Sequence, residues 1–219
     1  MDVYAHENVR EIEKLQREII DQANETTMVR QQLEMLADNL YEEFRKHNDL
    51  VYVLISNWHP DFVGKDIESV MDSDFSKAAA KLTISREHGF ADWKTVEDLR
   101  ETTFNLEFEN AVDTLLKGDL DSLNKQLSSN KELLKDRSRF GHRATLLHYV
   151  SNNGVETRRQ VVPLNLPAIT RLLIENGADK NAKASVYGGQ FTALELASTS
   201  AHPKDAGIAE DLIKVLESA

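Results

Sequence analysis

The chain has 219 residues, of which 41% are hydrophobic and 29% charged, so it can bury a core and is not expected to be disordered. Its 37 acidic and 26 basic residues give a net charge of −11, which argues against general binding to nucleic acid or to an anionic membrane because the long-range field repels phosphate. The absence of cysteine excludes disulfides, thiol nucleophiles and cysteine-ligated zinc.

The sequence predicts neither a membrane span nor a signal peptide. The longest apolar run covers residues 51–55 and is far too short to cross a bilayer. Residues 1–7 include acidic side chains and form no hydrophobic segment of the kind that signal peptides have. We therefore expect a cytoplasmic protein with no membrane partner.

Charge and glycine divide the chain into two halves. All of the net negative charge lies before residue 108, and seven of the nine glycines follow it. Because glycine marks tight turns between short elements, we predict an acidic helical first half and a turn-rich second half. The predicted boundaries are a helical arm at 1–57, a helical cap or connector at 58–107 and repeats at 108–219.

The arm has a seven-residue apolar repeat, which is typical of a coiled coil or a helical hairpin. One row comprises Ile12, Ile19, Thr26, Leu33 and Leu40, and a second comprises Leu15, Val29, Leu36 and Leu50. Poor helix formers cluster at residues 24–27, where Thr27 is suited to cap a second helix. Two alternatives follow: a long helix that pairs with a second copy through residues 5–50 to give a homodimer, or a hairpin within one chain.

The connector carries signals for two helices. A helically spaced pattern from Phe75 onward should end at His88-Gly89, with Gly89 in the left-handed conformation past the helix end. Asp92 is then suited to cap the next helix. We expect the aromatic residues of this segment to form one small core; they are Trp58, Phe75, Phe90 and Trp93.

The second half contains internal similarity. Residues 144–154 and 191–198 open in the same way, with Thr145 and Thr192 as predicted helix caps. A second helix is predicted after each opening, at residues 169–179 and 209–216, and a degenerate earlier unit starts at Phe108. Such units cannot bury their apolar faces alone, so they are expected to stack.

These units resemble the ankyrin repeat. Thr145-Leu146-Leu147-His148 is similar to the family's Thr-Pro-Leu-His motif, and residues 176–182 are similar to the end of the repeat. From Thr145 to Thr192 the period is 47 residues instead of about 33, with the excess at residues 157–167.

Residues 80–93 also resemble a leader that precedes ankyrin repeats in bacterial proteins. The resemblance implies an all-α fold of about three repeats and a role in binding a protein partner.

The sequence gives no signature of a metal or cofactor site. The seven histidines form none of the usual metal-binding spacings, and neither a P-loop nor a GxGxxG motif is present. His148 is expected to hydrogen-bond neighbouring backbone groups. One alternative function remains, a hydrolase or transferase built on the loop residues His142 and His202, for which Ser200 and Asp205 would complete a nucleophilic set.

A local basic cluster stands out in this acidic chain: Arg137, Arg139, His142, Arg143, Arg158 and Arg159. It is either a set of solvated loop charges or a groove that accepts an acidic peptide through arginine–carboxylate contacts.

The sequence thus predicts a non-enzymatic protein-interaction module without cofactor, with a structural assembly protein organised by the arm as a further alternative. The predicted partner-binding residues, which the 157–167 insertion would border, are Arg139, Phe140, His142, Arg143, Arg158, Arg159, Tyr187 and Gln190.

Overall fold

The computed structural model describes residues 2–218 as a mainly helical chain with two small antiparallel sheets. The α-helices are α1 Glu7–Ile20, α2 Val29–Arg45, α3 Val51–Trp58, α4 Ile67–Met71, α5 Lys77–Glu87, α6 Trp93–Glu97, α7 Leu106–Leu116, α8 Leu120–Ser129, α9 Leu146–Tyr149, α10 Leu166–Glu175, α11 Ala193–Thr199, α12 His202–Asp205 and α13 Ala209–Ser218. The 3-10 helices cover Lys131–Leu134 and Thr157–Arg159. The strands are β1 Val3–Tyr4, β2 Val162–Pro163, β3 Ala184–Val186 and β4 Gly189–Phe191, with β1 paired to β2 and β3 to β4. The predicted, largely α-helical class is confirmed.

The arm folds back on itself at the predicted weak point. The Asn24 N–H donates to Thr27 Oγ1 at 2.9 Å, and the Thr26 N–H donates to Asn24 Oδ1 at 3.0 Å. These bonds close a tight turn between α1 and α2, so the long single helix does not form. Thr27 serves the turn and does not cap α2, whose N-cap is Met28.

The hairpin buries the apolar stripe of the arm inside one chain. Ile12 and Leu33 are fully buried, and Leu36 and Leu40 are 2% exposed. They share a core with apolar side chains of α3, α4, α5 and α6. The burial of these side chains stabilises the fold of a single chain, and a second copy is no longer needed to cover the stripe.

We therefore expect the full-length protein to be a monomer of 24.8 kDa in solution. The reason is that the residues proposed for a homodimer seam at 5–50 already contact their own chain. Light scattering at micromolar concentration checks this expectation. A dimeric mass that persists on dilution would contradict it and restore the homodimer alternative.

The second half consists of helix pairs packed side by side. The pairs are α7 with α8, α9 with α10, and α11 with α13; α9 also contacts α7 and α11, while α10 contacts α8 and α13. The Thr192 and Thr145 positions begin α11 and α9 as predicted. His148 accepts from the Thr145 N–H at 3.1 Å through Nδ1 and bonds the Phe191 carbonyl at 3.2 Å through Nε2. His148 thus joins two successive units, in keeping with its predicted structural role.

The 157–167 insertion packs against the arm, whereas the sequence predicted that it would border the partner-binding surface. β2, within the insertion, pairs with β1, and the Leu164 N–H donates to the Asp2 carbonyl at 3.1 Å. α1 packs across the 3-10 helix Thr157–Arg159. The arm is therefore attached to the second half of the chain along this insertion.

The predicted aromatic core of the connector is confirmed as part of a larger core. Trp58 and Phe75 are buried in one apolar cluster, and Phe90 and Trp93 pack against it. Phe75 also packs against Phe44, with ring centroids 4.8 Å apart, and Trp58 stacks on Tyr187 of the second half. Trp93 lies beneath Lys81, whose Nζ is 4.6 Å from the ring centroid.

The local helix signals of the connector are confirmed. Gly89 has φ +78° just past α5. The Asp92 side chain caps α6 by accepting from the Thr95 N–H at 2.8 Å.

Candidate binding cleft

A half-open cleft of about 690 Å³ lies between the connector and the β3–β4 hairpin. Its size falls within the range of typical ligand sites. One wall comes from the end of α3, the end of α5 and the segment that leads to α6. The other wall comes from the β3–β4 hairpin and from the turn that contains His142 and Arg143. The residues that line it are Asn57, Trp58, Pro60, Val63, Arg86, His88, Gly89, Phe90, Ala91, Thr95, Leu99, His142, Arg143, Ser185, Tyr187, Gly188, Gly189 and Gln190.

The cleft brings together four of the eight predicted partner-binding residues, namely His142, Arg143, Tyr187 and Gln190. Of these, Arg143, Tyr187 and Gln190 are exposed, whereas His142 is buried. Sequence reasoning thus found one wall of the cleft. It missed the opposite wall, because nothing in the connector sequence indicates that residues 57–63 and 86–95 face the hairpin.

His142 and Arg143 form a strained turn at the base of the hairpin wall. Both residues are left-handed, with φ 54° and 51°, and the Ala144 N–H donates to the Gly141 carbonyl at 3.1 Å. A left-handed backbone is uncommon for residues other than glycine, and it requires support from the surrounding structure.

That support comes from the two walls of the cleft. The His142 N–H donates to the His88 carbonyl at 2.9 Å, and the Ser185 N–H donates to the His142 carbonyl at 2.8 Å.

The His142 ring completes this junction, and its burial corrects the expectation that it faces a partner. Its Nε2 lies 2.7 Å from the Glu87 carbonyl and its Nδ1 lies 3.0 Å from the Ser185 carbonyl. Burial lowers the pKa of His142, and this is opposed by nearby Glu156 and by the two carbonyl acceptors. His142 is therefore a positioning residue that holds the end of α5 against β3.

The close approach at this junction requires glycine at position 89. A Cβ on Gly89 would lie 2.6 Å from the His142 Cα and 2.7 Å from the Ser185 carbonyl oxygen. Real Cβ atoms essentially never approach backbone atoms so closely. The predicted helix stop at Gly89 is thus also the point where the two walls of the cleft meet.

Tyr187 forms the rim of the cleft on the hairpin side. It is left-handed, with φ 51°, and it forms the two-residue turn of the hairpin with Gly188, whose φ is +76°. Its ring stacks on Trp58 with centroids 5.5 Å apart and planes at 15°. Its hydroxyl donates to Asn153 Oδ1 at 2.9 Å, and the Trp58 Nε1–H donates to Thr157 Oγ1 at 3.0 Å. These contacts fix both rings, although Tyr187 itself remains 62% exposed.

The lining of the cleft is basic in an acidic protein. Arg86 and Arg143 line it, and no aspartate or glutamate does. Within residues 2–218, neither arginine has a carboxylate oxygen within 4.0 Å of its guanidinium nitrogens. Asp92 lies near Arg86, since its pKa is lowered mainly by hydrogen bonds from Thr95 and also by the charges of Lys94 and Arg86. Because no ion pair forms within these residues, both guanidinium groups can still bind a carboxylate from outside the chain.

His88 supplies an additional polar atom. Its Nδ1 donates to the Phe140 carbonyl at 3.0 Å, while its Nε2 is buried and has no hydrogen-bond partner among the described residues. Burial lowers the pKa of His88 to about 3, so the ring is neutral near pH 7. With its proton on Nδ1, the ring has a free acceptor at Nε2.

Arg159 is not a partner-binding residue, contrary to the sequence-based prediction. It is 3% exposed, and it forms ion pairs with Glu109, Asp113 and Glu156. Burial raises the pKa of Glu156, but the charges of several neighbouring groups, of which Arg159 is the strongest, together lower it to about 2. The Tyr149 hydroxyl donates to the same carboxylate at 3.4 Å. This cluster is an internal ionic network beneath α1.

The remaining predicted residues also lie outside the cleft. Phe140 is 1% exposed and packs against His88. Arg158 is half-buried over the Phe140 ring, at 5.9 Å from its centroid. Arg139 is exposed and lies 3.4 Å from the Thr103 carbonyl. They do not form one surface with the cleft residues, because Phe140 is buried between exposed Arg139 and buried His142 and Arg158 lies on the separate 3-10 helix Thr157–Arg159.

The residues of the hydrolase alternative are not assembled. His202 Nε2 bonds Gln160 Oε1 at 3.0 Å and does not line the cleft that contains His142. Ser200 is buried and lies 3.5 Å from the Asn152 carbonyl, and Asp205 accepts from the Tyr4 hydroxyl at 3.4 Å. No hydrogen bond links these three side chains in residues 2–218.

The described part of the chain contains neither a membrane-spanning helix nor a cluster of metal ligands. None of its helices combines the length and apolar character required to cross a membrane. No group of three or more histidine, aspartate or glutamate side chains is arranged to hold a metal ion in the same residues. Comparison with protein-family models, curated proteins and solved structures found no significant match for the chain.

Proposed function

We propose that the protein is a non-enzymatic interaction module that binds a protein partner in the cleft between the connector and the β3–β4 hairpin. The observation that carries the proposal is the character of the cleft rim. Val63 on one side and Tyr187 on the other are each 62% exposed and line the same cleft. Exposed apolar side chains at the rim of a cleft can bury an apolar group of a partner.

We further propose that the second half is a short ankyrin-type solenoid. Three features support this assignment: the successive helix pairs, the hairpin that precedes α11, and the bond from His148 to the next unit. Repeat solenoids present an extended surface of loop tips and first-helix faces that suits partner recognition. In this proposal the connector closes one end of that surface and forms the second wall of the cleft.

The proposal places the protein in the cytoplasm and gives the arm an architectural role. The arm packs along the insertion, and of its described residues Asn57, at its end, lines the cleft. An assembly function organised by the arm has less support, because the stripe that would drive assembly is buried in the chain's own core.

The Val63→Glu variant tests the proposed function. Val63 is exposed, so a charged side chain at this position can be accommodated without disturbing the fold, but it removes an apolar contact from the rim. Affinity capture from an extract of the source organism, followed by quantitative mass spectrometry, should show loss of the proteins that the wild type captures.

Met35→Glu is the matched control. Met35 is also an exposed apolar residue, at 39%, but it lies on α2 outside the cleft. Capture that is preserved by Met35→Glu and lost by Val63→Glu supports the proposal. Equal capture by all three proteins would remove the cleft as the binding site.

A further inference from the structure

We infer that the cleft binds an extended acidic segment of its partner, with an apolar side chain of that segment on the Val63–Tyr187 rim and its carboxylates on Arg86 and Arg143. This inference rests on the proposed function and specifies the chemistry of the partner.

The first argument is the distribution of charge. The connector wall comes from the part of the chain that carries excess negative charge, yet none of its carboxylates faces the cleft. Arg86 and Arg143 remain as the charged lining groups. Because unlike charges favour association, an acidic ligand meets attraction from these two arginines in the cleft.

The second argument is the chemistry of the two cations. A guanidinium presents several N–H donors in a planar fork that matches a carboxylate. Arg86 is half-buried on the connector wall, and its Nε is buried without a partner in the described residues. Arg143 is exposed on the hairpin wall, in the strained turn held by His142. The two walls thus offer one unpaired guanidinium each.

The third argument is the mixed character of the site. Trp58 and Tyr187 provide a fixed stacked aromatic surface, and Val63 adds an exposed aliphatic side chain. A peptide supplies both requirements together, namely carboxylates for the two arginines and an apolar side chain for this surface.

Nucleic acid is the less favoured anionic ligand. Its phosphates would suit the two arginines, but a nucleic acid carries a negative charge at every nucleotide, so a chain of net charge −11 repels it more strongly than a short acidic segment. Long basic surfaces carry most nucleic-acid binding, and the lining of this cleft supplies two arginines. A labelled single-stranded oligonucleotide of mixed sequence therefore belongs in the test as a competing ligand.

The test is selection of short random peptides displayed on phage against the full-length protein. We expect enriched peptides to carry aspartate or glutamate on both sides of an apolar or aromatic residue. Fluorescence anisotropy should show that an enriched peptide binds Arg143→Glu at least about tenfold more weakly than it binds the wild type. The reason is that charge-assisted bonds are lost and repulsion is added. Arg86→Gln should weaken binding in the same direction.

Arg171→Glu is the matched control, since Arg171 is exposed on α10 and outside the cleft. It should leave the affinity nearly unchanged although it changes the net charge equally. The inference is overturned if enriched peptides lack acidic residues, if Arg171→Glu weakens binding as much as Arg143→Glu, or if the oligonucleotide binds more tightly than the peptides. Non-acidic peptides that lose affinity with Val63→Glu would refute the inference and leave the proposed function intact, and a failure to enrich any peptide would refute the inference.

Discussion

Replacement of Arg159 by leucine is expected to lower the free energy of unfolding by about 3–5 kcal/mol. Arg159 is the shared cation of a buried network with Glu109 and Glu156, both of which are also buried. Leucine leaves those two carboxylates without their counter-ion, and an uncompensated buried charge is strongly destabilising. Urea unfolding followed by circular dichroism measures the change.

Arg139→Leu is the control for this prediction. Arg139 lies in the same basic stretch of sequence but is exposed, so its replacement should change stability by about 0.5 kcal/mol or less. Adding Glu109→Gln and Glu156→Gln to Arg159→Leu should recover part of the loss because the uncompensated charges are removed. A small and equal effect of both arginine substitutions would show that the network does not stabilise the fold.

Glu87→Gln is expected to stabilise the protein at pH 8 by about 3 kcal/mol and to have an effect below about 1 kcal/mol at pH 5. Glu87 is fully buried where α5 meets α1 and the 3-10 helix Thr157–Arg159. Its carboxylate accepts two long hydrogen bonds, from the Thr157 N–H at 3.3 Å and from Gln16 Nε2 at 3.5 Å. Burial raises the pKa of Glu87 to about 7.

The sign of this pH dependence follows from the raised pKa. In the unfolded chain Glu87 loses its proton near its ordinary pKa of 4.5, whereas in the folded chain it keeps the proton up to about pH 7. The wild type is therefore progressively destabilised as the pH rises from about 4.5 to 7, and the cost persists above that range. Glutamine carries no charge at any of these pH values and avoids the cost.

Urea unfolding at pH 5 and pH 8 measures the difference between wild type and Glu87→Gln. Glu97→Gln, an exposed residue of α6, is the control and should give equal small changes at both pH values. If Glu87→Gln were destabilising at pH 8, the ionised carboxylate would be favourably bound and the prediction would be wrong.

Local features of the fold could be predicted because they depend on neighbouring residues. The side chains of Asp92 and Thr192 each cap a helix by accepting from the backbone N–H three residues later. Gly89 ends a helix through its own backbone conformation. The fold-back of the arm at Asn24 belongs to the same class, although the heptad pattern by itself equally favoured pairing with a second copy. A seven-residue stripe specifies a partner helix but not the chain that supplies it.

The long-range part of the site could not be predicted. Trp58 stacks on Tyr187 across 129 positions of sequence, and Arg86 joins Arg143 in one cleft only because His142 binds the end of α5. No periodicity encodes such pairings.

The prediction that the arginines of the basic cluster share one surface failed for a related physical reason. A loop arginine is usually solvated, but Arg159 meets Glu109, fifty positions earlier, and is buried by α1. Charge alone does not reveal whether a side chain has a partner inside the fold.

Site-specific photo-cross-linking tests the central claim most directly. A photoreactive amino acid is placed at Val63 on the rim of the cleft or, in a second protein, at Met35 on α2, and each protein is irradiated in an extract of the source organism. We predict that the protein with the photoreactive group at Val63 forms a covalent complex with a discrete partner. Acidic peptides selected against the cleft should prevent the formation of this complex, and the protein with the group at Met35 should form no such complex. The same complexes from both positions, or complexes from Met35 alone, would contradict the assignment of the cleft as the binding site.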